Sequence, residues 1–235
     1  MQVEIWSDVV CPWCYVGKRR FEQALEQFAH ADDVTVTWRS FELDPEAPLS
    51  RSGSHDEHLA RKYGMTVERA RQVNQQMTET AAAVGLDFHF EHIRAGNTFD
   101  AHRLLHFAHD HGKQLELKER LLRATFTDGE PIADRETLVR LAVEVGLDGD
   151  EARSALESDR YADAVRADER QAAAYGITGV PFFVVDGKYG VSGAQPAELL
   201  LEVLQRGYDD NRALTVVDGA AGIDAAACND ESCAI

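Results

Sequence analysis

Apolar and polar side chains alternate over Val3, Glu4, Ile5 and Trp6, the period of a strand. The period then lengthens. Phe21, Leu25 and Phe28 recur at i, i+4, i+7, which predicts a helix starting near residue 12. Alternation returns over Val34–Phe41, a β-branched and aromatic-rich run that predicts a second strand. Strand, helix, strand within about forty residues is a βαβ unit, expected to be right-handed with parallel strands. A loop with Pro45 and Pro48 follows.

From residue 55 to about 175 the pattern is almost wholly helical. Ala70, Val73, Met77, Ala81 and Val84 form one stripe, stopped by Gly85. Ala101, Leu104, Leu105 and Ala108 form another, capped by Asn97 or Thr98 and ended by Gly112. Leu117, Leu121, Leu122 and Phe126 predict a third helix. Asp134 and Asp148 start two more, and a last one ends at Gly176. Strand character then resumes at Phe182–Val185, turns at Asp186-Gly187, and continues over Lys188–Ser192. A helix entered at Pro196 carries Leu199, Leu200, Val203 and Leu204. The order β-α-β, helical block, β-β-α predicts one mixed four-stranded sheet interrupted by a helical insertion. Neither β part alone has the strands for an independent core.

Composition changes this picture little. The chain has 235 residues, 24 basic and 41 acidic, for a formal charge of −17. That argues against nonspecific binding to nucleic acid or to anionic membrane. No apolar run approaches the roughly 20 residues that span a bilayer. The N-terminus passes directly into the first strand, without the signature of a secretory signal, so a cytoplasmic protein is expected. In a reducing compartment the four cysteines read as reactive or metal-binding pairs rather than permanent disulfides.

Two of those cysteines stand where the first strand gives way to the helix, as Cys11-Pro12-Trp13-Cys14. Pro12 suits the first helical position. Cys11 then sits at the helix N-terminus, where backbone N–H groups and the helix dipole stabilise a thiolate. Cys14 lies one turn inside, placed to resolve a mixed disulfide formed at Cys11. A structural disulfide, half of a zinc site and two incidental core cysteines compete with this reading. A zinc site needs a second ligand pair, and an incidental pair leaves the strand–CPxC–helix context unexplained. Redox chemistry is the favoured reading.

The C-P-x-C pair, the helical insertion and Thr178-Gly179-Val180-Pro181 before the third strand together resemble the DsbA-like branch of the thioredoxin superfamily. The resemblance is closest to its cytoplasmic FrnE-type members, including Asn97–Arg103 at a helix start. It covers about residues 1–207 and extends to Cys228 and Cys233 in the tail. It implies an α/β, thioredoxin-like mixed sheet with a large all-helical insertion. Residues 1–50 and 177–207 would form the thioredoxin-like domain, 51–176 the insertion and 208–235 a tail with C-x4-C. It also implies a cis Val180–Pro181 bond facing the cysteines, with Pro12, Trp13, Val180 and Pro181 forming the substrate-binding rim. Many such relatives carry a buried acid six residues ahead of the nucleophile; here that position is Ile5. Asp8 or Glu42 could take its place as proton acceptor, against a plainer role as solvated or loop-capping carboxylates.

The expected function is thiol–disulfide exchange with protein or small-molecule thiols and disulfides. Cys11 attacks and Cys14 resolves, with no cofactor beyond glutathione or another dithiol as co-substrate. Cys228 and Cys233 read as a second redox pair, as soft-metal ligands or as idle thiols. A glutathione-dependent transferase or isomerase of the kappa or hydroxychromene carboxylate isomerase type is one alternative. A redox- or metal-responsive binding module is another. His102, His106 and His109 share a helical face, but neither they nor His89 and His92 complete a metal motif, so no metal site is expected. They read as polar surface.

Overall fold

A computed structural model describes residues 1–50, 53–94 and 96–212. Strand β1 (Gln2–Ser7) leads into helix α1 (Pro12–Gln27), and β2 (Thr35–Ser40) lies parallel to β1. Strand β3 (Phe182–Val185) pairs antiparallel with β1, and β4 (Tyr189–Ser192) antiparallel with β3. The order β2-β1-β3-β4 is the mixed four-stranded sheet the pattern predicts. Asp186 and Gly187 both have positive φ, 49° and 67°, as the two-residue turn between β3 and β4 requires.

Both faces of β1 are covered. Val3 and Ile5 point to one face, where they pack with Phe21, Phe183, Leu200 and Leu204 from α1, β3 and α9 (Ala197–Arg212). Trp6 points to the other and is fully buried with Ala172, Ile177 and Val184. The alternation had placed Trp6 with Glu4 on the polar side. A strand sandwiched between two helical layers has no solvent face, so its period carries less information. Helix α9 also continues past residue 207, the limit expected for the thioredoxin-like part.

Between β2 and β3 come α2 (His55–Tyr63), α3 (Val67–Ala82), α4 (Phe99–Asp110), α5 (Gln114–Arg123), α6 (Arg135–Glu144), α7 (Gly149–Glu157) and α8 (Ala162–Ala174). Leu104, Phe107, Leu117, Leu121, Leu138, Leu141 and Leu156 form their common core. The expected caps are in place at Asp134 and Asp148, whose carboxylates accept backbone N–H groups. At α4 the cap is shared: Thr98 occupies the N-cap position, while Asn97 Oδ1 accepts the Phe99 N–H. The third predicted stripe ends at Gly129, as its sequence suggests, after α5 widens into a π-helical turn at Ala124–Asp128. Among the described residues, no helix is long and apolar enough to cross a membrane.

The helical segment grips the edge of the sheet by its backbone. Gln114 Oε1 accepts the Trp38 N–H at 2.9 Å, and its Nε2 donates to the Trp38 carbonyl at 2.9 Å. Asp168 on α8 accepts the Ser40 N–H at 2.8 Å. These bonds satisfy edge-strand groups that would otherwise be buried without partners. Helix α5 is tied to α1 as well. Burial alone would raise the Glu119 carboxyl, but Arg19 and Lys18 outweigh it and hold it at about 2, with the Tyr15 hydroxyl donating at 2.6 Å.

Helix α1 approaches Pro181 closely at Gly17, where an added Cβ would lie 2.9 Å from the proline ring and 3.5 Å from Phe183. Gly17→Leu should therefore cost about 1–3 kcal/mol by overpacking. Thermal melting should show a fall of roughly 2–12 °C; an unchanged melting temperature would mean that the contact is slack.

Candidate active site

The β1–α1 junction presents the two cysteines as the spacing predicts. Cys11 is the N-cap of α1, with extended φ and ψ of −95° and 112°, and Pro12 opens the first turn. The Cys11 side chain makes no capping bond to the first-turn N–H groups. Cys11 is 5% exposed and Cys14 is fully buried. Cys11 Sγ lies 3.5 Å from the Val180 carbonyl and donates to it as a thiol. Cys14 hydrogen-bonds the Cys11 sulfur; burial, together with that bond and the charge of Cys11, pushes the Cys14 thiol well above its ordinary range.

The cysteines open on a cleft of about 790 Å³. Cys11, Pro12, Trp13 and Val180 line one side, and Leu59, Met65 and Met77 from the helical segment face them. Trp13 is 46% exposed, so it forms part of the rim rather than packing on the helix flank. The Val180–Pro181 bond is cis. Pro181 is buried and stands outside the cleft lining; its ring seats against α1 at Gly17 and its carbonyl accepts the Gly193 N–H at 2.8 Å. The rim predicted from Pro12, Trp13, Val180 and Pro181 thus contains the first three. Cys228 and Cys233 lie outside the described residues.

Charged groups behind the pair went largely unread in the sequence. Asp8 is fully buried and does cap the loop, its Oδ2 accepting the Leu43 N–H at 2.8 Å. Its Oδ1 lies 3.3 Å from Nε2 of His102, which is also fully buried. Burial alone would raise the Asp8 carboxyl, but His102, the Leu43 N–H and the Lys118 charge hold it below its usual value. His102 is therefore no surface residue. Its neighbours Ala101, Leu104, Leu105 and Phe107 make α4 apolar on nearly every side, the one sequence signal of its burial. Glu42 is buried too, 2.6 Å from Arg166, and burial raises its carboxyl to about 7 against that pairing.

Lys118 is the least expected member. It is fully buried on α5, one turn after Gln114, and its Nζ has no hydrogen-bond partner among the described residues. The ammonium lies 5.3 Å from the centre of the Trp38 ring. Burial pulls Lys118 down to about 8, while the charges of Cys14, Asp8 and Cys11 pull the other way. Its position shares the stripe of Leu117, Leu121 and Leu122, the local signal of its burial, while the docking of α5 on β2 decides what it meets. Elsewhere, His89, Glu91 and His92 place potential ligand atoms within 4.8 Å of one another. There the Asp87 hydrogen bond raises His89 above its ordinary value.

This sheet order, with Cys11-Pro-Trp-Cys14 at the first helix and helices inserted between β2 and β3, defines a thioredoxin-like protein with a helical insertion. Residues 2–205 match the DSBA-like thioredoxin domain, and the chain belongs to that family. A probable DsbA oxidoreductase from Streptomyces coelicolor is 48% identical, with a TM-score of 0.87 over 95% of this chain and 97% of its own. The uncharacterized protein YwbO of Bacillus subtilis is 32% identical over 79% of this chain and 86% of its own. The cytosolic disulfide reductase DsbM of Pseudomonas aeruginosa, solved with GSH, shares the fold at 16% identity and a TM-score of 0.63, over 89% of this chain and 100% of its own.

The Lys118 amine is costly to the fold. Its shift from 10.5 to about 8 means that unfolding takes up a proton between those pH values, so its penalty is fully present below pH 8 and is lifted as pH rises through 10.5. That penalty is about 3 kcal/mol. Lys118→Met should raise the melting temperature at pH 7 relative to wild type, and the gap should shrink above pH 10.5. A variant less stable at both pH values would show that the amine is held by favourable contacts instead.

Proposed function

We propose that this protein is a thiol–disulfide oxidoreductase acting on protein or small-molecule thiols and disulfides. The carrying observation is the placement of Cys11 at the N-terminus of α1 and on a cleft wall, with fully buried Cys14 hydrogen-bonded behind it. In the reducing direction the Cys11 thiolate attacks a substrate disulfide, one substrate sulfur leaves as a thiolate, and a mixed disulfide forms at Cys11. Cys14 then attacks Cys11 Sγ, closing the Cys11–Cys14 disulfide and releasing the second substrate thiolate. Run backwards, the same steps oxidise a substrate dithiol.

Each part of the site has a role in this cycle. Val180 places a carbonyl on the Cys11 sulfur and belongs to the wall against which a substrate chain would lie. Trp13 and the apolar side chains across the cleft offer contact to nonpolar substrate groups. The exchange itself calls for no cofactor, and glutathione or another dithiol would reset the pair. A cytoplasmic setting is part of the proposal, and the charge of −17 supports partners other than nucleic acid or anionic membrane. Cys228 and Cys233 enter it as a second dithiol able to exchange with the first. The transferase and isomerase alternative is less well supported, since a resolving thiol touching the nucleophile serves disulfide exchange and has no evident use in conjugation.

Insulin reduction in the presence of dithiothreitol should exceed background with wild type and fall to background with Cys11→Ser. Cys14→Ser should accumulate a glutathione adduct at Cys11, visible by mass. Retained turnover in Cys11→Ser, or glutathione conjugation of an aromatic halide as the faster reaction, would remove this assignment.

A further inference from the structure

Away from the cysteines, apolar and polar side chains alternate along the segment that follows α3. Phe88 and Phe90 turn inward and are buried with Met77, Leu122 and Phe126. Asp87, His89 and Glu91 stay on the outer side of the same run, and one turn of 3₁₀ helix (Phe90–His92) brings His92 round beside them. The run is held from beneath. The His89 N–H donates to the Phe126 carbonyl at 2.7 Å, and Thr127 Oγ1 donates to the Asp87 carbonyl at 2.7 Å. Gly129 approaches so closely that an added Cβ would lie 2.7 Å from His92 Cβ.

His89 is oriented as a metal ligand is. Its Nε2 lies 3.1 Å from Asp87 Oδ2. An ionised carboxylate only accepts, so that nitrogen carries the ring proton, and the lone pair of a neutral ring is at Nδ1. Nδ1 stands 3.5 Å from Glu91 Oε1, long for a hydrogen bond. Two electron-pair donors set face to face call for a cation between them. Ligand atoms about 2.0–2.1 Å from a tetrahedral zinc ion stand roughly 3.3 Å apart, which this spacing approaches. His92 is on the same side. One ligand atom each from His89, Glu91 and His92 falls within 4.8 Å of the others, and the two imidazoles stack with centroids 5.6 Å apart. The exposed His92 side chain can close the remaining gap by rotation.

We propose that His89, Glu91 and His92 bind one zinc ion, through His89 Nδ1, a Glu91 carboxylate oxygen and an imidazole nitrogen of His92, with water in the fourth position. Asp87 holds the His89 ring by its other nitrogen, the usual outer partner of a metal-bound imidazole. Two imidazoles and one carboxylate suit zinc better than calcium or magnesium, which take oxygen donors. The spacing His-x-Glu-His matches neither HExxH nor paired C-x-x-C, so no motif discloses the site. The ion has a structural consequence. Phe90, between the ligands, packs on the His55 ring at 5.3 Å, and both His55 and Ile93 line the cleft. Bound zinc therefore steadies a segment that backs the cleft wall, whatever chemistry the cysteines perform.

The test uses the full chain with its four cysteines changed to serine, so that no thiolate competes for the metal. Calorimetric titration with zinc chloride should saturate at one ion per chain, and zinc should raise the melting temperature. Asp87→Asn should weaken binding on the order of 10-fold. His89→Ala and His92→Ala should each weaken it further and abolish the thermal shift. In wild type, zinc should move the ring signals of His89 and His92 by NMR and leave those of buried His102 in place, a readout independent of any variant's folding. Uptake that never saturates at one ion, or that persists unchanged in both histidine variants, would overturn the proposal. So would binding seen in wild type and lost in the serine background, or ring shifts confined to other histidines.

Discussion

The open edge of β2 is what brings the two parts of this molecule together. A strand edge carries N–H and C=O groups that must be paired once covered. Here side chains of the helical segment pair them, Gln114 at both polar groups of Trp38 and Asp168 at Ser40. Two bonds from one amide to one residue fix both the position and the rotation of α5. Residue 118, one turn on, then faces inward over the Trp38 ring. The same docking brings α4 close enough for His102 to meet Asp8. Thus a backbone requirement of the sheet dictates the electrostatics of the site.

Those electrostatics separate two cysteines only three residues apart. Cys11 caps the start of α1 and faces a cleft and one carbonyl. Cys14 faces Cys11, the buried charges and no solvent. A thiolate at the second position is penalised by desolvation and by the neighbouring Cys11 sulfur. The proposed roles of nucleophile and resolving thiol rest on that asymmetry. The cleft adds to it, because only Cys11 lines the space a substrate can enter.

Asp8, His102 and Lys118 are fully buried, which a fold selected for stability alone would avoid. Asp8 is compensated by a backbone N–H and an imidazole. Lys118 is not compensated by any hydrogen bond among the described residues, and its nearest relief is the Trp38 ring.

The local sequence determined much of this protein. Alternation and helical spacing predict the four strands, the long run of helices and the Asp186-Gly187 turn, because these periods reflect which side chains face a core. Cys11-Pro-Trp-Cys14 marks the place of both cysteines at the start of α1, since a helix end depends on neighbours in the chain. What the groups behind the pair meet was decided by tertiary structure. Trp6 is buried because α8 covers a face that alternation assigned to solvent. His102 is buried because α4 is enclosed by its neighbours. Pro181 lies behind the cleft wall because α1 meets it at Gly17. Lys118 meets the Trp38 ring because Gln114 grips β2, a contact between residues 76 positions apart. Such placements arise from the packing of elements distant in the chain, and no window of local sequence contains the information that sets them.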